Sequence, residues 1–271
     1  MTFEPLPMVG GAGLGADAVG SSDPATPRGS VEPPATRRGT VPVVEVFHSI
    51  QGEGSRSGEA ATFLRLAGCN LRCTWCDTSY SWNSEGVRAA TATTIEDLAA
   101  QVRERAVVLT GGEPMLHRRR MPELLTALRA RDVRHVTVET NATIFDAALV
   151  DAVDLWSLSP KLAASGETAD PATIRRYIAA APGRVQLKFV VTTTRDWLAM
   201  WALLEELGAP LPEPVLVQPD GTRVDYDVAL RELVDCVLAD DELFDGVPRR
   251  SMVRVTPQVH RVIWGAAARG V

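Results

Sequence analysis

Three of the four cysteines in this chain, Cys69, Cys73 and Cys76, fall within eight residues at C-x3-C-x2-C spacing. Three thiolates so close together suit a soft metal centre, because sulfur donors select zinc, copper(I) or iron–sulfur clusters over hard cations. Structural zinc takes four closed ligands, and no histidine or cysteine follows at finger or ribbon spacing; the nearest histidines are His48 and His117. A four-iron cluster normally takes four cysteines, so three leave one iron without a protein ligand and open to chemistry. On the cysteines alone, cluster and zinc both stand, with unligated core thiols as a third reading. Cys236 lies in the helical pattern VALRELVDCVLAD, where it reads as a small core residue.

The elements that must position these thiols are legible around them. The apolar run 62–66 reads as a buried strand ending at Gly68, which puts the cysteines on a loop at a strand end. Upstream, VPVVEVF reads as a strand leading into HSIQGEGSRSGE, a glycine-rich loop in which Glu53, between Gly52 and Gly54, can approach a ligand closely. Downstream, Thr93 and Glu96 form a T-x-x-E capping box, with Ile95, Leu98, Ala99, Val102 and Ala106 at helical spacing. Strand AVVLT then ends in Gly111-Gly112-Glu113-Pro114 and is followed by a helical pattern through Arg131. Strands HVTVET, DLWSLS, RVQLKFVV, VLVQP and SMVRV alternate with further helices, one started by Asp170-Pro171 and one closed by Gly208.

Strands alternating with helices predict a parallel α/β sheet. About six such strands are too few for a closed eight-stranded barrel, so the expected architecture is an open, partial parallel β/α barrel. Ligands collect where such strands end. The polar segments at those ends, 69–77, 110–113, 139–141, 157–161 and 218–220, should therefore share one rim.

Composition bounds the rest. With 271 residues, 45% of them hydrophobic, the chain suffices for one large domain. The net charge is −6 and the longest basic run is 118–120, which leaves no electrostatic footprint for nucleic acid. No apolar stretch approaches the ~20 residues of a membrane span, and no signal-peptide pattern is present, so a cytoplasmic protein is expected. In a reducing compartment, clustered cysteines point to metal rather than to disulfides. Residues 1–40 are rich in Gly, Pro, Ala, Ser and Thr and are expected to be a disordered extension preceding a core of 41–271. Its acidic residues Glu4, Asp17, Asp23 and Glu32 speak against a transit peptide.

SIQGEG at 49–54, FLRLAGCNLRCTWCDT at 63–78, LTGGEP at 109–114, VET at 138–140, SPK at 159–161, VQP at 217–219 and the terminal PQVHRVIWG span nearly everything after residue 41. In these motifs the chain resembles the radical S-adenosylmethionine (SAM) superfamily, and within it the 7-carboxy-7-deazaguanine synthase family of 7-deazapurine and queuosine biosynthesis. The resemblance implies a 4Fe-4S cluster on Cys69, Cys73 and Cys76, with SAM on the open iron. It places Trp75, Cys76, Asp77, Gly111, Gly112, Glu113 and Glu139 beside SAM, and Ser159, Pro160, Lys161, Gln218, Pro219, Asp220 and Gly221 near its nucleoside. It implies a magnesium ion on Thr78, and 6-carboxy-5,6,7,8-tetrahydropterin against Ile50, Gln51, Gly52, Glu53, Arg65, Thr110, His260 and the terminal carboxylate of Val271. Arg65 would suit the substrate carboxylate as a bidentate partner. A flavodoxin or ferredoxin as electron donor and a homodimer are implied as well. Two competing expectations are a glycyl-radical enzyme activase, which shares the cysteine spacing, and a non-catalytic metal-binding protein.

Overall fold

The computed structural model describes residues 39–265 and 269–270. The expected extension therefore lies, but for Gly39 and Thr40, outside the described residues, and so does Val271. Strand β1 (Thr40–Ile50) begins one residue before the expected start and turns through the glycine-rich loop into β2 (Ala60–Leu66). After the cysteine loop come α1 (Ser84–Ala89), β3 (Thr91–Thr94), α2 (Ile95–Ala100) and β4 (Ala106–Gly111). Helix α3 (Met121–Arg129), β5 (His135–Thr140), β6 (Leu155–Leu158), α4 (Pro171–Ala180), β7 (Val185–Val190), α5 (Thr194–Leu207) and β8 (Val215–Gln218) continue the alternation. Helix α6 (Tyr226–Ala239), a hairpin of β9 (Leu243–Phe244) and β10 (Val247–Pro248), α7 (Arg249–Met252), β11 (Val253–Val255) and α8 (Val259–Trp264) complete it.

Nine strands form one sheet in the order β11-β8-β7-β6-β5-β4-β2-β1-β3. The seven from β11 to β2 are parallel, while β1 runs antiparallel to both β2 and β3. β11 and β3 remain separate edges, so the barrel is open, as expected, though it holds more strands than the sequence count of about six.

Strand periodicity sorts the side chains onto two faces. Val107 and Leu109 of β4, Val136 and Val138 of β5, Trp156 and Leu158 of β6, Leu187 and Phe189 of β7, and Val215 and Val217 of β8 all belong to the main core, with the helices packed against it. Trp156 and Tyr177 of α4 meet at 4.9 Å between ring centroids. The alternate residues, Thr110, Glu139, Ser157, Lys188 and Gln218, face the lumen, where a smaller apolar cluster of Phe47, Ala61, Phe63, Ala106 and Val108 lines the β1–β2–β4 side. The strand sequences thus carry one hydrophobic register for folding and one polar register for chemistry.

Two local expectations are corrected. The N-cap of α2 is Thr94, whose hydroxyl accepts from Asp97 N at 3.1 Å and donates to Asp97 Oδ2 at 2.8 Å. Thr93, one residue earlier in β3, instead donates its hydroxyl to Thr91 O at 3.2 Å, so the capping pair is Thr94–Asp97 rather than Thr93–Glu96. The helix also stops at Ala100, and Ala106 opens β4. At the other end Ser251 and Met252 belong to α7, which leaves only three residues for the last parallel strand.

The cysteine loop and the Gly-Gly-Glu-Pro turn lie against each other. Gly112 N donates to Leu66 O at 3.2 Å and Glu113 N to Gly68 O at 2.8 Å. A Cβ on Gly112 would lie 2.2 Å from Gly68 O and 2.8 Å from Cys69 Cβ, so this approach needs glycine.

The shifted cap makes a test by thermal or denaturant unfolding. Thr94→Ala should cost about 1 kcal/mol, whereas Thr93→Ala should stay within about 0.5 kcal/mol of the unaltered chain.

Candidate active site

The lumen opens into a cavity of ≈ 460 Å³ at the carboxyl ends of the parallel strands. Cys69, Cys73 and Cys76 line it together with Trp75, Asp77, Thr78, Gly111 and Gly112. So do Glu139, Ser159, Lys161, Gln218, Asp220 and Gly221 on the strand-end side, and Ile50, Gln51, Gly52, Glu53, Arg65, Thr110 and His260 on the other. Three of the expected residues do not reach its wall. Pro160 and Pro219 are absent from the lining. Glu113 is completely buried, and its carboxylate accepts from Met115 N at 2.9 Å, Thr140 Oγ1 at 2.7 Å and Asn141 N at 2.7 Å. It ties the β4 turn to the end of β5; burial raises its pKa against the lowering effect of those three donors.

At the cysteine end the three thiols are free, as is Cys236 in α6. Burial pushes the Cys69 thiol up to about 12 and moves Cys73 in the same direction, so binding a metal would release protons. Among the described residues no three His, Cys, Asp or Glu side chains are gathered as they would be around one ion. The three cysteines line one cavity rim, and three thiolates are the donor set of a cluster that takes one cysteine per iron and leaves one iron open. Leu71 N donates to Cys69 Sγ at 3.4 Å, and Trp82 Nε1 donates to Cys76 Sγ at 3.2 Å.

The next stretch of wall carries polar groups without protein partners. Gln218 Oε1 and Trp75 Nε1 are buried and lack a hydrogen-bond partner among the described residues. Lys161 Nζ donates to Ser159 Oγ at 2.9 Å and stands 5.7 Å from the Trp75 ring centroid. An unpaired buried acceptor and donor are costly unless something supplies their partners, and a nucleoside offers both. Asp220 is partly committed elsewhere, accepting from Thr222 N and Oγ1 at 2.8 and 2.7 Å.

A charge cluster lines the same cavity. Glu53 is paired with Lys188 Nζ and accepts from Gln258 Nε2 at 2.6 Å. Burial by itself would raise the Glu53 pKa, but the charges of Lys188 and His260 and the two hydrogen bonds outweigh it and hold the carboxylate at about 2. Lys188 is also desolvated, yet Glu53 and Glu139 move it above the usual lysine range. Asp77 is exposed at the cavity wall, yet desolvation by its surroundings raises its pKa, with Glu53 adding like-charge repulsion and Arg65 opposing. Arg65 donates from Nε to Glu45 Oε1 at 2.7 Å, and its guanidinium lies 5.5 Å and 5.8 Å from the Phe47 and Tyr80 ring centroids. Glu139 accepts from Thr110 Oγ1 at 2.9 Å and Gln51 Nε2 at 3.2 Å, and His260 packs over Gly52, where a Cβ would meet its Nδ1 at 2.1 Å.

Sequence reasoning missed Lys188, Gln258, Tyr80 and Trp82. Lys188 had a visible signal: in RVQLKFVV, Gln186 and Lys188 alternate with Leu187 and Phe189, so two polar side chains share the face opposite the core. Gln258 lay in the quoted PQVHRVIWG stretch, but nothing there tied it to Glu53, 205 positions away.

The family model for the Radical SAM superfamily matches residues 64–186 of the chain. That superfamily carries a 4Fe-4S cluster and SAM. The chain is 34% identical over 230 residues to the 7-carboxy-7-deazaguanine synthase of Pyrobaculum aerophilum, covering 84% of this chain and 96% of that one. It is 36% identical over 254 residues to the synthase of the same name from Halobacterium salinarum, with coverages of 84% and 91%. The crystal structure of QueE from Escherichia coli superposes with a TM-score of 0.60 at 26% identity, covering 82% of this chain and 95% of that chain. At such identity over so much of its length, the chain belongs to the 7-carboxy-7-deazaguanine synthase family of radical SAM enzymes.

Proposed function

We propose that this chain converts 6-carboxy-5,6,7,8-tetrahydropterin to 7-carboxy-7-deazaguanine with loss of ammonia. The observation that carries the reading is one cavity whose wall holds both the three cysteines and the Glu53–Lys188–Asp77–Arg65 charge cluster. When bound, the reduced cluster and SAM supply a 5′-deoxyadenosyl radical that removes a hydrogen atom from the substrate. The chain's own residues bind, orient and exclude side reactions.

Cys69, Cys73 and Cys76 would hold the cluster. The Gly111–Gly112 backbone fits the methionine end of SAM, and the unpaired Gln218 Oε1 and the Ser159–Lys161 pair fit the nucleoside. Glu53, kept ionised by Lys188, is an acceptor for the N–H donors of an aminopyrimidinone edge. Arg65 is a cation for the substrate carboxylate, and it is steadied by Glu45 and two aromatic faces. Thr78, beside Asp77 on the same wall, offers one oxygen to magnesium, an ion that commonly keeps waters and takes further ligands from substrate. A low-potential flavodoxin or ferredoxin as donor, a homodimer and a cytoplasmic setting complete the proposal. Among the described residues no helix is long and apolar enough to cross a membrane.

The deciding experiment is anaerobic incubation of the iron- and sulfide-reconstituted chain with SAM, dithionite, magnesium and the pterin, followed by mass spectrometry. Formation of 7-carboxy-7-deazaguanine that needs every component supports the proposal. 5′-Deoxyadenosine without that product would move the glycyl-radical activase reading forward.

Three variants follow from the geometry. Cys73→Ala should abolish SAM cleavage while circular dichroism remains that of the folded chain. Thr78→Ala should raise the magnesium concentration needed for half-maximal turnover about tenfold, with SAM affinity, read by equilibrium dialysis, changed less; loss of one metal–oxygen contact at ~1.4 kcal/mol sets that scale. Lys188→Met should destabilise the metal-free chain by about 3–5 kcal/mol at pH 7, because it leaves the Glu53 carboxylate buried without its cation. The Glu53 pKa lies below its ordinary 4.5, so the pair's contribution is complete above pH 4.5 and fades as the pH falls toward about 2. Denaturant curves should therefore show a smaller gap between the two chains at pH 3 than at pH 7; an equal gap would dissociate Glu53 from the effect.

A further inference from the structure

Trp82 lies outside the cysteine motif, yet its indole N–H is given to one of the cysteine sulfurs. The turn that carries it is firmly tied: Ser81 is completely buried, Ser81 N donates to Thr78 O at 2.8 Å, and Gly68 N, at the start of the cysteine loop, donates to Ser81 O at 2.8 Å. From that anchor Trp82 Nε1 reaches Cys76 Sγ at 3.2 Å, within the range of a hydrogen bond to sulfur. The other face of the arrangement is cationic. The Arg72 guanidinium stands 4.7 Å from the Trp82 ring centroid, and its Nη1 donates to Cys69 O at 2.7 Å and Leu71 O at 2.6 Å. Its Nη2 is buried without a hydrogen-bond partner among the described residues.

We propose that Trp82, polarised by Arg72, tunes the reduction potential of the centre bound by Cys76. The inference rests on the cysteines holding an iron–sulfur cluster. Reduction places additional negative charge on the cluster and its ligand sulfurs, so a donor aimed at one of those sulfurs stabilises the reduced state more than the oxidised one and raises the potential. A cation over the indole face draws electron density from the ring and makes its N–H a stronger donor. Trp82 is thus a tuning residue that acts through Cys76. Among the described residues Cys73 receives no comparable side-chain donor, which makes Cys76 the sulfur singled out for this control.

The test is a redox titration of the reconstituted protein, followed by the visible absorbance of the cluster and the electron paramagnetic resonance of its reduced form, with iron content measured in parallel. Trp82→Phe keeps an aromatic ring under Arg72 and removes the donor. Its reduced-to-oxidised ratio at a fixed potential should fall about tenfold, equivalent to a midpoint about 59 mV more negative for a one-electron couple. Arg72→Gln should move the midpoint the same way by less. Adding it to Trp82→Phe should produce less than the sum of the two shifts, because part of the cation's effect passes through the indole N–H. Full iron content with an unchanged midpoint in Trp82→Phe overturns the proposal. If Trp82→Phe fails to retain iron, Trp82→His, which restores a ring N–H, must recover both iron and midpoint; failure to do so also overturns it. Unaltered protein that takes up no iron would overturn the cluster reading itself, a result separate from a null shift in an iron-replete variant.

Discussion

An open barrel leaves two unpaired edges and a lumen that must be closed by something other than strand pairing, and in this protein the buried Glu53–Lys188 ion pair does so. It joins the loop after β1 to the lumenal face of β7, and Gln258 brings the segment before α8 to the same carboxylate. Val259 N to Gly52 O at 2.9 Å and Ser55 N to Gln186 Oε1 at 3.0 Å fasten the loop on either side. Three chain segments far apart in sequence meet on one carboxylate. Removing either charge strands the other in a poorly solvated place, which explains how a pair of costly ions is retained.

That arrangement also sets the electrostatics of the cavity. Lys188 satisfies Glu53 and is felt by Glu139 and Asp77, so three carboxylates share the field of one buried ammonium, with Arg65 beyond. The result is a graded wall: Glu53 is held ionised, while Asp77, less well compensated, is shifted toward its protonated form. Such divergence between neighbouring carboxylates is a common mark of a functional site.

The cysteine end is built by close backbone approach rather than by charge. Gly112 lets the β4 turn lie against Gly68 and Cys69, while Glu113 spends its carboxylate on Met115, Thr140 and Asn141. The Gly-Gly-Glu-Pro motif therefore has divided labour: its glycines bring two loops together beside the thiols, and its glutamate locks that junction to β5.

The chain by itself determined the alternation of strands and helices, the open barrel, the thiol spacing and the polar strand ends, because each is a matter of local periodicity or of neighbours in sequence. Asp170-Pro171 and Gly208 mark helix ends correctly, since capping needs only nearby backbone. The cap of α2 was misplaced by one residue because Thr93 and Thr94 are equivalent locally; both lie in β3, but the helix starts after Thr94, whose hydroxyl accepts from Asp97 N, while that of Thr93 donates to Thr91 O. Glu113 looked like a ligand contact and is a buried brace, its donors lying mostly 27 and 28 positions away. The shared partner of Lys188 and Gln258, Glu53, and the Trp82–Cys76 contact became visible only once the chain closed on itself. A charge buried at long sequence separation is stabilised by partners that no local pattern names, and the tertiary structure alone decides which they are.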